Sequence, residues 1–152
     1  MSSKPKDAIA MLTAEHREVD DMFKQFESMG DRAKAKKKKL VDEICTALTL
    51  HTSIEEEIFY PAVREEVKDA EDICDEALVE HASAKDLISQ LQEMDPEDEL
   101  YDAKVKVLSE QIEHHVKEEE QEMFPKVKKS SLDLIAIGEE MAQRKEELLA
   151  SA

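Results

Sequence analysis

His51-Thr52-Ser53-Ile54-Glu55-Glu56-Glu57-Ile58-Phe59-Tyr60-Pro61 is answered later in the chain by His115-Val116-Lys117-Glu118-Glu119-Glu120-Gln121-Glu122-Met123-Phe124-Pro125. The second stretch lies 64 positions after the first, and the offset is kept at Glu55/Glu119, Glu56/Glu120 and Pro61/Pro125. A shorter echo precedes each one. Ala14-Glu15-His16 aligns with Val79-Glu80-His81, 65 positions apart. Each half therefore reads as a helical hairpin with a lone histidine on its first helix and His-x-x-x-Glu on its second. Two such hairpins predict an all-α, up-down-up-down four-helix bundle with approximate two-fold symmetry.

Composition agrees with that reading. Two glycines and four prolines in 152 residues are too few for an all-β chain, which needs frequent turn residues. The length suits one domain over 1–152, with the bundle over about 8–127 and a short extra helix over about 132–149. A net charge of −17 repels phosphate and anionic lipid, so neither nucleic acid nor a membrane surface is the expected partner. No stretch reaches the ~18 apolar residues of a membrane helix, and 8–12 is too short for a signal-peptide core. Cys45 and Cys74 form no paired-thiol motif. A cytoplasmic location is the expectation.

Punctuation places the helices. The first should start near Pro5 or Asp7 and stop at Gly30, with Ile9, Leu12, Val19, Phe23 and Phe26 inward. The second should start near Asp31 or Ala33, carry Leu40, Ile44, Leu48 and His51 on one side, and reach about 67. Pro61 is expected to kink or break it near 59–60. The third spans about 72–94, Asp95-Pro96-Glu97-Asp98 is a turn, and the fourth spans about 99–127. Lys36-Lys37-Lys38-Lys39 reads as a solvated helix-start face.

The repeated residues carry the chemistry. Positions i and i+4 share a helix face, so His51 with Glu55, and His115 with Glu119, can both look into the bundle. Buried imidazoles and carboxylates, duplicated by symmetry, call for a compensating cation. Four histidines (His16, His51, His81, His115) and two glutamates (Glu55, Glu119) match two metal ions. Each ion would take two histidine nitrogens, both glutamates would bridge, and an oxo or hydroxo bridge would complete about five ligands. Of the neighbours, His114 sits about 100° from His115 and is read as peripheral. Asp20 finds no support, because its repeat partner is Lys85. Tyr60 is read as bundle-end packing, with a role near the metals as the alternative. Phe23, Phe26, Phe59 and Phe124 are read as core. Glu56 and Glu120, one step further round, are expected to be dispensable for loading.

These residues resemble the hemerythrin-like, HHE cation-binding family over about 8–127, through His16, His51-x-x-x-Glu55, His81, His115-x-x-x-Glu119 and the closing Phe59-Tyr60-Pro61 and Phe124-Pro125. The resemblance implies a non-haem di-iron centre with those six residues as ligands. Imidazole and carboxylate alone would also suit zinc or manganese, so iron comes from the resemblance. Oxygen-carrying hemerythrin has a second histidine where Lys85 stands here. It also has an aspartate five residues after its last-helix histidine, where this chain has Glu119 at four. Fewer histidines argue against reversible oxygen carriage. The pattern is more similar to family members linked to sensing oxygen, peroxide or nitric oxide, and the resemblance implies a protein that reacts with or senses one of these. Catalase- or peroxidase-like turnover and iron storage or delivery are the alternatives, and the sequence names no protein partner.

Overall fold

In the computed structural model, which describes residues 7–30 and 33–151, Asp7 opens the first helix by accepting the Ala10 backbone N–H at 2.7 Å. Helix α1, Ala8–Ser28, buries Leu12, His16, Val19, Phe23 and Phe26 at helical spacing. The expected starting residues Pro5 and Asp31 lie outside the described residues. The remaining helices are α2 (Lys34–Ile54), α3 (Tyr60–Glu66), α4 (Glu71–Glu93), α5 (Tyr101–Glu118), α6 (Phe124–Lys128) and α7 (Leu134–Ser151). Asp95 and Asp98 close the turn before α5, accepting the backbone N–H groups of Glu97 and Asp95. Asp133 caps α7 through the Ala136 N–H.

The interruption expected near 59–60 takes the form of a widened turn, with helix on both sides of it. Single π turns, Glu55–Phe59 and Glu119–Met123, join α2 to α3 and α5 to α6. The Tyr60 N–H reaches back five residues to the Glu55 carbonyl, and the Phe124 N–H reaches back to that of Glu119. Tyr60 and Phe124 keep helical dihedrals although each precedes a proline. A proline ring clashes with the carbonyl four residues earlier in a regular α-helix, and the wider turn moves that carbonyl aside.

Helices α1, α2, α4 and α5 form the bundle, with α1 against α2, α4 against α5, and α2 and α4 adjoining. The chain is all-α, in the up-down-up-down order read from the repeat. Helix α7 packs along α1 and α2 of its own bundle, burying Met141 beside Leu12, Ile54 and Phe59. Two apolar clusters result. One contains Leu12, Phe59, Val63, Met123 and Phe124, and the other Val19, Phe23, Ile44, Leu48, Leu91 and Leu108. Each buried leucine or phenylalanine contributes about 1.5–3 kcal/mol, so the two clusters hold the helices in register around the polar layer between them.

Lys37 departs from the solvated face expected for 36–39. It is 2% exposed, with Nζ 3.2 Å from Asp102 Oδ2 and 5.3 Å from the centre of the Phe26 ring. An ion pair and an aromatic face compensate this burial.

Candidate metal centre

The helical spacing that buries α1 also buries His16, and α2 delivers His51 one turn before the π turn that begins at Glu55. Helix α4 supplies His81, and α5 supplies His115 one turn before Glu119. All six expected residues are buried, at 7% exposure or less, in one layer of the bundle. One donor atom from each of His16, His51, Glu55 and Glu119 lies within 4.8 Å of the others, and the same holds for Glu55, His81 and His115. Glu55 is common to both sets. Its Oε1 stands 3.1 Å from His81 Nε2, 3.2 Å from His51 Nε2 and 3.9 Å from His115 Nε2. Glu119 Oε1 lies 3.1 Å from His16 Nε2, and its Oε2 lies 3.4 Å from His115 Nε2.

Each imidazole is oriented from behind by a carboxylate. His16 Nδ1 meets Glu120 at 2.8 Å, His51 Nδ1 meets Glu15 at 2.7 Å, His81 Nδ1 meets Glu56 at 2.8 Å and His115 Nδ1 meets Glu80 at 2.7 Å. A carboxylate accepts, so Nδ1–H donates and every Nε2 faces inward. These four glutamates fall on matched repeat positions, yet sequence reasoning gave them no role and took Glu56 and Glu120 for dispensable. The structure places both of these behind a histidine, Glu56 at His81 and Glu120 at His16. The signal was their retention in the repeat, while the bonds themselves run between helices.

Tyr60 also comes in from the bundle end. Its hydroxyl donates a short hydrogen bond to Glu119 Oε2 and lies 3.3 Å from His81 Nε2 and 3.4 Å from His115 Nε2. Burial, with the charges of Glu55 and Glu119, pushes the phenol well above its usual range and keeps it protonated. At the matching position, Phe124 stacks its ring on His16 with centroids 6.1 Å apart, so it contacts the centre as well as the core. His114 is 68% exposed, as expected, and Asp20 pairs with Lys24 at the surface.

The electrostatics fit a cation. Both Glu55 oxygens and His51 Nε2 are buried without an aligned hydrogen bond. Burial opposes the charge on Glu55, but the His51 charge beside it holds the carboxyl well below the usual range. Burial likewise opposes a charged imidazole at His51, yet Glu55 and Glu15 push it up to about 10. His115 rises to about 12 on hydrogen bonds with Glu119, Glu55 and Glu80, against its own burial. At His51 and His115, therefore, a proton and a metal ion would compete for the inward-facing nitrogen.

The sequence matches the Hemerythrin HHE cation binding domain over residues 7–127, which is most of the chain. The chain belongs to that family. It is also similar to the crystal structure of a Hemerythrin HHE cation binding domain-containing protein from Mycobacterium kansasii. The two share 26% identity and a TM-score of 0.80, over 96% of this chain and 89% of the other. No curated protein matches. Among the described residues, no helix is long and apolar enough to cross a membrane.

Proposed function

We propose that His16, His51, Glu55, His81, His115 and Glu119 hold two iron ions, and that the protein reacts with or senses oxygen, peroxide or nitric oxide. The observation that carries this reading is Glu55, fully buried between two histidine pairs, with neither oxygen in an aligned hydrogen bond. A charge placed so deep is stable when shared by two cations. Bound iron would supply redox chemistry and open coordination positions. The protein contributes orientation, through the four outer carboxylates, and one proton-bearing group, the Tyr60 hydroxyl. The enclosed space beside the cluster has a volume of about 20 Å³ and is lined by Val19, Leu48, Ile112 and Val116 with the histidines. That space admits about one water-sized molecule, the scale of a small ligand. Peroxide turnover is the second reading, favoured by the protonated Tyr60 at the centre.

Anaerobic loading with ferrous iron followed by oxygen tests the proposal. Two iron ions per chain and a new ferric charge-transfer absorption are expected. A spectrum unchanged by oxygen, with iron bound, would overturn the reactivity. Failure to bind iron would overturn the centre.

A further inference from the structure

Helix α7 lies beyond the stretch matched to the family, yet it reaches the centre through one line of contacts. Lys145 Nζ donates to Glu15 Oε2 at 2.9 Å, and Glu15 Oε1 accepts from His51 Nδ1 at 2.7 Å. Arg144 fastens the same helix to Glu57, on the first π turn, at 2.9 Å. The matching carboxylate of the other half, Glu80, orients His115 at the same 2.7 Å. Its far oxygen, however, stands 3.6 Å from His114, which is mostly exposed. A second difference lies at the bundle end. The Tyr60 hydroxyl lies 3.3 Å from His81 Nε2 and 3.4 Å from His115 Nε2, and the Phe124 ring offers His16 no such group.

We propose that the two cation positions are inequivalent, and that Lys145 is the positioning residue through which α7 makes the His16–His51 position the tighter, first-filled one. The inference rests on the metal-binding reading above. A glutamate anchored at both oxygens cannot swing into water, so its histidine is already in place before a cation arrives. Lys145 is one-third exposed, and water and salt screen its repulsion of a cation deeper in the bundle.

Stepwise titration of the metal-free full chain with Co²⁺ alone, followed by visible absorption, tests this. Two steps differing by about 10-fold in affinity are expected, and Lys145→Met should weaken the first by about 10-fold while shifting the second less than about 2-fold. Lys145→Arg should restore the first step, and in the cobalt-loaded Lys145→Met protein the His51 Nδ1–H resonance should exchange faster with water. A single unresolved step in the wild type would overturn the proposal. So would a Lys145→Met variant that weakens neither step or both alike. Chains that take up no cobalt would refute the metal reading as well, whereas two equal steps insensitive to Lys145 refute only this inference.

Discussion

Tyr60 and Phe124 hold the same place in the two halves of the bundle and differ by one oxygen atom. Tyr60 leans on His81 with ring centroids 5.4 Å apart, and Phe124 stacks on His16 at 6.1 Å. Behind the histidines the halves agree. Glu15 and Glu80 orient the second-helix histidines, and Glu120 and Glu56 orient the first-helix ones. Arg17 and Lys85 pair with Glu120 and Glu56 at 2.9 and 2.7 Å. Divergence begins further out, where Lys145 stands over Glu15 and exposed His114 over Glu80. The duplicated segments therefore build a near-symmetric pocket. Two features outside strict repetition, a hydroxyl at one bundle end and a helix beyond the second hairpin, make its sides different.

The comparison breaks most directly at the shared carboxylates. Glu55→Ala removes the residue common to both donor sets, so bound iron should fall toward zero by elemental analysis. Glu119→Ala should do nearly as much, since its carboxylate also faces a histidine from each half. Retention of two irons by either variant would show that the glutamates do not bridge. Next in size are the first-helix histidines. His16→Ala and His81→Ala should each leave roughly one iron per chain, because one donor set survives each change. The ion left by His81→Ala should be the harder to remove with chelator, and the reverse order would invert the assigned asymmetry.

Smaller effects belong to the orienting carboxylates. Glu15→Gln, Glu80→Gln, Glu56→Gln and Glu120→Gln should each weaken cobalt affinity about 10–100-fold without unfolding the chain. Normal affinity in the Glu56 and Glu120 variants would return those residues to the dispensable role that their position suggested. The smallest difference is expected between Cys45 and Cys74, one in each half. Burial pushes both thiols up to about 11. A thiol pKa raised on folding adds stability below the ordinary value, and that stability is lost as pH climbs through 11. At pH 8 both should therefore react with a thiol reagent at less than about a tenth of the unfolded rate. Fast labelling of one alone would show that its half opens.

Spacing alone carried much of the design. His51 and Glu55 share a face by helical period, and repetition separated His115 from His114 one residue away. The carboxylates behind the histidines were visible as repeated letters but had no assignable partner. Glu120 reaches His16 across 104 residues, a pairing set by which helices adjoin. Tyr60 stayed open between bundle-end packing and a role near the metals, and its hydroxyl contacts with His81 and His115 choose the second. Lys37 sat inside a run of four lysines, where composition suggests solvent and only packing reveals an aromatic face. Pro61 marked where the α-helix is interrupted, but not the form of the interruption, because a widened turn leaves no mark in hydrophobic period.

Those widened turns act as phase shifters. Each residue of an α-helix turns about 100°, so one residue absorbed in a wider loop resets the direction of everything after it. Glu55, Phe59 and Tyr60 all face inward across the first such loop, and Glu119, Met123 and Phe124 do so across the second. Removing a residue from either loop would leave the strand of helix intact but rotate its far end. Tyr60 or Phe124 would then turn away from the histidines while the histidine upstream stayed in place. The bundle thus contains two settings of one dial, and the chemistry above the metal layer depends on where each is stopped.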